Sequence, residues 1–237
     1  VSTILRNMKP MAAVVVDFDK IAAALGADDR ERTLTRAERW LLRQVPARAT
    51  RALDVGCGDG LLTRALAARG ISTLGIDASP GMIGLARRRA RNNPRIEYRV
   101  ADIMTDPLPE GRFDVVVSVS AVHHMALDEV LPRLIAAVAP GGTLLIQDVT
   151  TRNGLRGLPL NALAWCARRL RAAPAKAVTV LYEAHGADEQ YLNERDVEVI
   201  YRRLLPGSRV ELHLEWRYTI VWELPGATGD VSASSRA

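Results

Sequence analysis

Leu53-Asp54-Val55-Gly56-Cys57-Gly58-Asp59-Gly60 is the stretch whose reading decides the fold. An apolar strand, Ala52 to Val55, enters it. Three glycines follow at alternate positions. A helix, Leu61 to Arg69, leaves it and stops at Gly70, a residue type suited to the position just past a helix end. Glycine takes positive φ freely and carries no side chain, so a turn this tight lets the main chain lie directly against a ligand.

Working outward, the next apolar strand, Thr73 to Ile76, ends in Asp77. A glycine-rich turn after one strand and an acid at the tip of the next is how a doubly wound sheet grips an adenosine ribose. The same rhythm continues. Ser79-Pro80 supplies an N-cap and a first-turn proline for a helix reaching about Arg91, which Asn92-Asn93-Pro94 breaks. Strands are expected at Ile96 to Val100, Phe113 to Val119 and Thr143 to Val149, with a helix from about Asp128 to Val138 that ends at Pro140-Gly141-Gly142. Continuous apolar strands joined by short turns and helices indicate a parallel sheet covered on both faces.

Before this core, Ile21 to Leu25 forms at most a short helix. Residues 30–45 read as a helix with Leu34, Ala37, Trp40, Leu41 and Val45 on one face, closed by Pro46. After it, the rhythm fails between Thr150 and about Asp196, a stretch too long for a plain connection. A helix is expected there over Leu160 to Arg171. A further helix around Glu194 to Leu205 then leads to two alternating segments, Val210 to Glu215 and Arg217 to Leu224, read as an antiparallel pair. The tail from Pro225 is small and polar, and is expected to be disordered.

The 237 residues suffice for one domain with an elaboration. Hydrophobic content of 48% and charged content of 25% are ordinary for a soluble protein, and no apolar run reaches membrane-spanning length. The N-terminal apolar run is cut by Asp17 and Asp19, so no signal peptide is read and a cytoplasmic location is expected. The net charge is +5, but three of the 32 cationic residues are lysine (Lys9, Lys20, Lys176) and the rest arginine. That bias, beside so much alanine, points to a GC-rich bacterial genome rather than a nucleic-acid surface. Arg87-Arg88-Arg89 with Arg91 reads as a solvated helix face. Cys57 and Cys166 make neither a metal motif nor, with one inside the glycine turn, a structural disulfide, and no metal is expected.

Which adenosine ligand fits depends on the spacing. A dinucleotide site favours Gly-x-Gly-x-x-Gly, and here Leu61 occupies the third position, the last glycine falling one residue early at Gly60. A P-loop is absent, because no Gly-Lys-Ser/Thr follows. The segment Leu53 to Gly60 instead resembles the first motif of the class I S-adenosylmethionine-dependent methyltransferases. Gly75-Ile76-Asp77 resembles the second, Ala101-Asp102-Ile103 the third, Phe113-Asp114-Val115-Val116-Val117-Ser118 the fourth, and Pro140-Gly141-Gly142-Thr143-Leu144 the step into strand five. The likeness runs continuously over about residues 50–150.

The resemblance implies a Rossmann-like α/β fold: a doubly wound, mostly parallel seven-stranded sheet with an antiparallel terminal strand. It implies residues 1–45 as a helical lid, 46–224 as the domain that binds S-adenosylmethionine, and 150–196 within it as an insertion over the substrate, leaving 225–237 as tail. Asp77 would accept from the ribose hydroxyls, a task suited to an ionised carboxylate. Asp102 would accept from the adenine amine, with Ile103 against the ring. Gly56, Cys57 and Gly58 would admit the methionyl and ribose portions, and Ala78 and Met82 would complete the pocket. Asp54 would orient the loop toward the cofactor's ammonium, and Ser118 to Ser120, at the tip of strand four, would border the methionine moiety. The alternatives are that Asp102 caps a turn and that Asp77 starts the helix at Ser79.

A sulfonium is already an activated methyl donor, so a base is needed only where the nucleophile must lose a proton. His123 and His124, just past strand four, are the candidates, with His123 preferred and also placed beside the cofactor. Trp165, Tyr182 and His185 are candidate substrate contacts; Tyr191 lies in the same insertion, and His213 reads as structural. The residues after strand four are Ser118-Val119-Ser120-Ala121, without the Asn/Asp-Pro-Pro-Tyr/Phe run of enzymes that methylate amides or base amino groups. The acceptor is therefore read as a small molecule, a secondary metabolite or a quinone-like compound, for a monomer or homodimer. Methylation of RNA or protein, and a cofactor-binding regulator that transfers nothing, are the competing readings.

Overall fold

The structure is a computed structural model and describes residues 9–27, 31–151, 176–187, 189, 191–214 and 216–226. Its elements in chain order are α1 (Met11–Gly26), α2 (Arg36–Gln44), β1 (Arg51–Val55), α3 (Leu61–Ala67), β2 (Ser72–Asp77), α4 (Pro80–Ala90), β3 (Ile96–Val100) and β4 (Phe113–Val119). A single 3₁₀ turn (Val122–His124) follows, then α5 (Leu127–Ala137), β5 (Val138–Val149), α6 (Lys176–Gly186), α7 (Glu194–Leu204), β6 (Arg209–His213) and β7 (Arg217–Glu223). The helix expected over Leu160 to Arg171, with Trp165, and the tail beyond Gly226 lie outside the described residues.

The strands form one seven-stranded sheet in the order β3-β2-β1-β4-β5-β7-β6. β1 to β5 pair in parallel, and β7 pairs antiparallel with both β5 and β6. Because successive side chains on a strand point to opposite faces, β4 feeds two cores. Val115 and Val117 pack with Leu41 and Leu42 of α2 and Leu62 and Leu66 of α3. Val116 packs on the other face with Leu131 and Leu134 of α5 and Tyr201 of α7. This two-sided burial is why the strands read as unbroken apolar runs.

The expectations for β3, β4, α4 and the terminal pair hold to within a residue or two. Three others need correction. α1 runs the full Met11–Gly26 rather than a short piece at Ile21 to Leu25. Val14-Val15-Val16 is a β-branched run with poor helix propensity; packing of Ile21 and Ala22 against Met82 of α4 overrides it. α2 begins at Arg36 rather than residue 30, because Thr35 and Glu38 form a reciprocal capping box. β5 begins at Val138, ahead of Pro140-Gly141-Gly142, where Val138 pairs with Phe113 before the register shifts. Among the described residues, no helix is long and apolar enough to cross a membrane.

Candidate active site

The chain leaves β1 toward β2 on one side, and β4 takes the place on the other. The crevice beyond the carboxyl ends of these strands is where open α/β sheets bind ligands. A cavity of about 930 Å³ opens there, at the upper end of the ~300–1,000 Å³ typical of ligand pockets. Its floor is made by the strand tips Val55, Ile76, Val119 and Val149, and α1 and α6 supply walls through Val14, Phe18, Val178 and Tyr182. α1 is fixed in place by Asp19, whose carboxylate accepts from the Ser79 hydroxyl (2.5 Å) and the Gly81 amide (2.9 Å) at the start of α4.

On the β1–β2 side, Gly56 and Gly58 have φ of 68° and 53°. They need glycine for different reasons. A Cβ on Gly56 would stand 2.4 Å from Ala121 Cβ, whereas one on Gly58 would meet nothing within 4 Å. The amides of Gly56 and Cys57 both donate to the Ile76 carbonyl, tying the glycine turn to β2. Asp77 completes the tie: Oδ2 accepts from the Gly58 amide and Oδ1 from the Ser79 amide, each at 2.9 Å. Each oxygen keeps a lone pair for a further donor. Burial raises the Asp77 pKa, the two amide bonds work against that rise, and Asp19 adds to it.

Asp54 is 1% exposed and accepts from the Thr63 hydroxyl at 2.6 Å. Burial pushes its pKa up to about 7, against the pull of that bond. Cys57 is buried, and burial together with Asp54 and Asp77 holds its thiol well above the ordinary range. It is an unreactive small residue in the turn. Asp102 does close a turn: Oδ1 accepts from the Met104 amide at 2.8 Å, while its own amide donates to Asp106. Asp102 and Ile103 nevertheless both line the cavity, as do Ala78 and Met82.

Ser118 departs from its expected position. It is fully buried, its hydroxyl donates to the Val55 carbonyl at 3.0 Å, and it does not line the cavity. Its side chain turns in toward β1, while Val119 and Ser120, the rest of the expected stretch, do border the cavity. His213 stands apart, with Nε2 2.8 Å from Thr219 Oγ1.

On the β4–β5 side, His123, His124, His185 and Tyr191 come together around the same cavity, whereas Tyr182 lines its other end, near Arg32, Asp59 and Asp77. His123 Nδ1 lies 2.6 Å from Asp148 Oδ1, and Asp148 Oδ2 accepts the His123 amide at 3.0 Å. Burial alone would depress the His123 pKa; the carboxylate of Asp148 overrides it and holds the imidazole above its usual value. Burial would likewise raise Asp148, and His123 keeps it low. His124 is the opposite case: burial, with His123 and His185 nearby, pushes its pKa down to about 3. His185 Nδ1 is 3.1 Å from Asp17 of α1. Arg217, at the start of β7, donates to Ser120 Oγ at 2.5 Å and also faces the cavity.

Asp148 and Arg217 were not singled out from the sequence. Asp148 carried the one readable signal, an acid set in the buried strand Leu144-Leu145-Ile146-Gln147-Asp148-Val149.

Comparison with known proteins agrees with this geometry. Residues 52–142 match the family described as "Methyltransferase domain". Over 185 residues the chain is 36% identical to an uncharacterised methyltransferase of Mycobacterium tuberculosis (strain H37Rv), covering 76% of this chain and 90% of that protein. The chain belongs to the class I S-adenosylmethionine-dependent methyltransferases. This methyltransferase is also 38% identical over 139 residues to trans-aconitate 2-methyltransferase of Methylobacterium nodulans, 56% of this chain and 50% of the relative. A crystal structure of a methyltransferase from Aquifex aeolicus shares the fold, with TM-score 0.58 at 17% identity, covering 86% of this chain and 98% of that one.

Proposed function

We propose that this methyltransferase moves a methyl group from S-adenosylmethionine to an oxygen, nitrogen or carbon of a small-molecule acceptor. The observation that carries the reading is the Asp77 carboxylate, held by the Gly58 and Ser79 amides beside the one glycine of the turn that faces open space. A turn with Gly56 packed shut and Gly58 left open fits a nucleoside lying along it.

Asp77 would hold the ribose hydroxyls, and Asp102 the adenine amine through the oxygen its turn leaves free. Ile103, Ala78 and Met82 would enclose the base. The backbone at Gly56, Cys57 and Gly58 would border the methionyl chain, with Asp54 toward its ammonium and Ser120 beside it. Bound there, S-adenosylmethionine supplies an activated methyl on a sulfonium, which leaves approach and alignment as the protein's main work.

The acceptor would lie against His123, His185 and Tyr191, with Tyr182 toward the cofactor end of the cavity. With Nδ1 fixed by Asp148, His123 presents Nε2 as the nitrogen to receive a proton from an acceptor that must lose one. His124, kept neutral by burial, packs beside it. The trans-aconitate relative supports a small organic acceptor, and a quinone-like or secondary metabolite is the class to screen with it. In this reading residues 1–45 act as a lid and 46–224 form the catalytic domain, whose insertion contributes α6 to the cavity wall.

The test is methyl transfer from labelled cofactor to a panel of carboxylic acids, phenols and hydroquinones, run beside tRNA and protein. Transfer confined to small molecules is expected. Transfer confined to RNA or protein would overturn the acceptor class.

A further inference from the structure

Among the described residues, five buried side-chain atoms lack a hydrogen-bond partner, and four of them share one place: Nδ1 and Nε2 of His124, Nε2 of His185 and Oε1 of Glu189. Each such orphan is costly, because burial has taken away its hydrogen bonds to water and nothing replaces them. Chance imperfection would scatter them; here they converge from the 3₁₀ turn, α6 and the segment after it. Glu189 Oε1 stands 3.2 Å from His124 Nδ1 and 3.7 Å from His185 Nε2, near enough to share a ligand but not aligned to bond directly. These side chains are 4–6% exposed, so bulk water does not satisfy them.

We propose that His123, His124 and Glu189 bind a divalent first-row transition-metal ion of the zinc type at the acceptor wall, with His185 Nε2 as the nearest fourth donor. One donor atom from each of the three lies within 4.8 Å of the others. Bonds of about 2.0–2.1 Å bring ligand atoms to within roughly 3.5 Å of one another, so the ion would draw the widest pair in by about an ångström. Imidazoles with one carboxylate suit zinc, iron or nickel, whereas magnesium and calcium prefer oxygen alone.

Asp148 gives independent support. A metal-bound histidine gives its other ring N–H to a carboxylate, which fixes the tautomer and aims the remaining nitrogen at the ion. Asp148 already does this for His123, engaging Nδ1 at 2.6 Å and leaving Nε2 as the ligand. His123 and His124 line the cavity, so the ion would border the acceptor. It would occupy the nitrogen that otherwise receives the acceptor's proton, and metal-loaded and metal-free protein would differ in how the acceptor is activated.

The test involves no methyl transfer, so its outcome is separate from the acceptor reading. Chelator-treated protein is titrated calorimetrically with Zn²⁺, and with Co²⁺ followed by visible absorption. One ion per chain is expected, with the Co²⁺ spectrum of a low-coordinate nitrogen and oxygen site. Glu189→Gln and His124→Asn, checked for folding by circular dichroism, should weaken binding by roughly 100-fold, and Asp148→Asn by about 10–100-fold. His213→Gln should leave binding unchanged. Substoichiometric binding to the wild type, or affinity in Glu189→Gln equal to the wild type, would overturn the proposal.

Discussion

Asp148 holds His123 at two points: Oδ1 lies 2.6 Å from the ring Nδ1, and Oδ2 accepts the backbone amide of the same residue at 3.0 Å. The carboxylate is wholly buried, so it sets both the position of the 3₁₀ turn and the tautomer of the ring. Asp148→Asn keeps the shape and removes the charge. The turnover number should fall by about 100-fold or more, the usual contribution of a positioned acid–base group. Affinity for S-adenosylhomocysteine should stay within about twofold, because Asp77 and Asp102 lie on the other side of the cavity. Steady-state kinetics paired with calorimetry separates the two quantities.

The glycine turn gives a contrasting pair. Gly56→Ala forces both a left-handed φ and a Cβ at 2.4 Å from Ala121, a combined destabilisation on the order of 2–4 kcal/mol. Gly58→Ala carries only the left-handed penalty, about 1–2 kcal/mol, since nothing lies within 4 Å. Its methyl projects into open space, so it should weaken cofactor binding by about tenfold or more while the fold persists. Thermal melting and a cofactor titration on both variants should show the defects in opposite order.

Asp54 links stability to pH. Burial raises its pKa from 3.8 to about 7 in the folded chain. The folded protein therefore keeps a proton that the unfolded chain releases. Its contribution is fully present below about pH 4, and stability falls as pH rises through about 7. Each tenfold gain in proton affinity on folding is worth roughly 1.4 kcal/mol, so the loss above that range is a few kcal/mol. Asp54→Asn removes it. Denaturant unfolding should find the variant more stable than wild type at about pH 8, with the gap closing toward about pH 4. Cofactor affinity at the higher pH should drop.

The sheet was legible because its strands are buried on both faces and so leave apolar runs that turns and caps punctuate. The cofactor side was legible for a related reason: Gly56, Gly58, Asp77 and Asp102 all sit at the ends of strands that can be read. Of Ser118 to Ser120, Ser120 reaches the cavity, while strand alternation turns the Ser118 hydroxyl to Val55. α1 was underestimated because contacts with α4, not propensity, determine it. α2 was started too early, at residue 30, because the Thr35-x-x-Glu38 capping box that sets its first turn was passed over. The acceptor side was the least readable. Asp148 meets His123, and Glu189 approaches His124, only because the sheet and α6 bring distant segments together; no local spacing encodes those distances.

The central claim is that Asp77 and the glycine turn hold the nucleoside of S-adenosylmethionine. Isothermal titration of the wild-type protein and of Asp77→Ala with S-adenosylhomocysteine tests it most directly. One ligand per wild-type chain is predicted, with Asp77→Ala losing about 2 kcal/mol or more, as expected for hydrogen bonds to a charged group. Wild-type protein that takes up none of the ligand, or an Asp77→Ala variant that binds it as tightly as the wild type, would contradict the account.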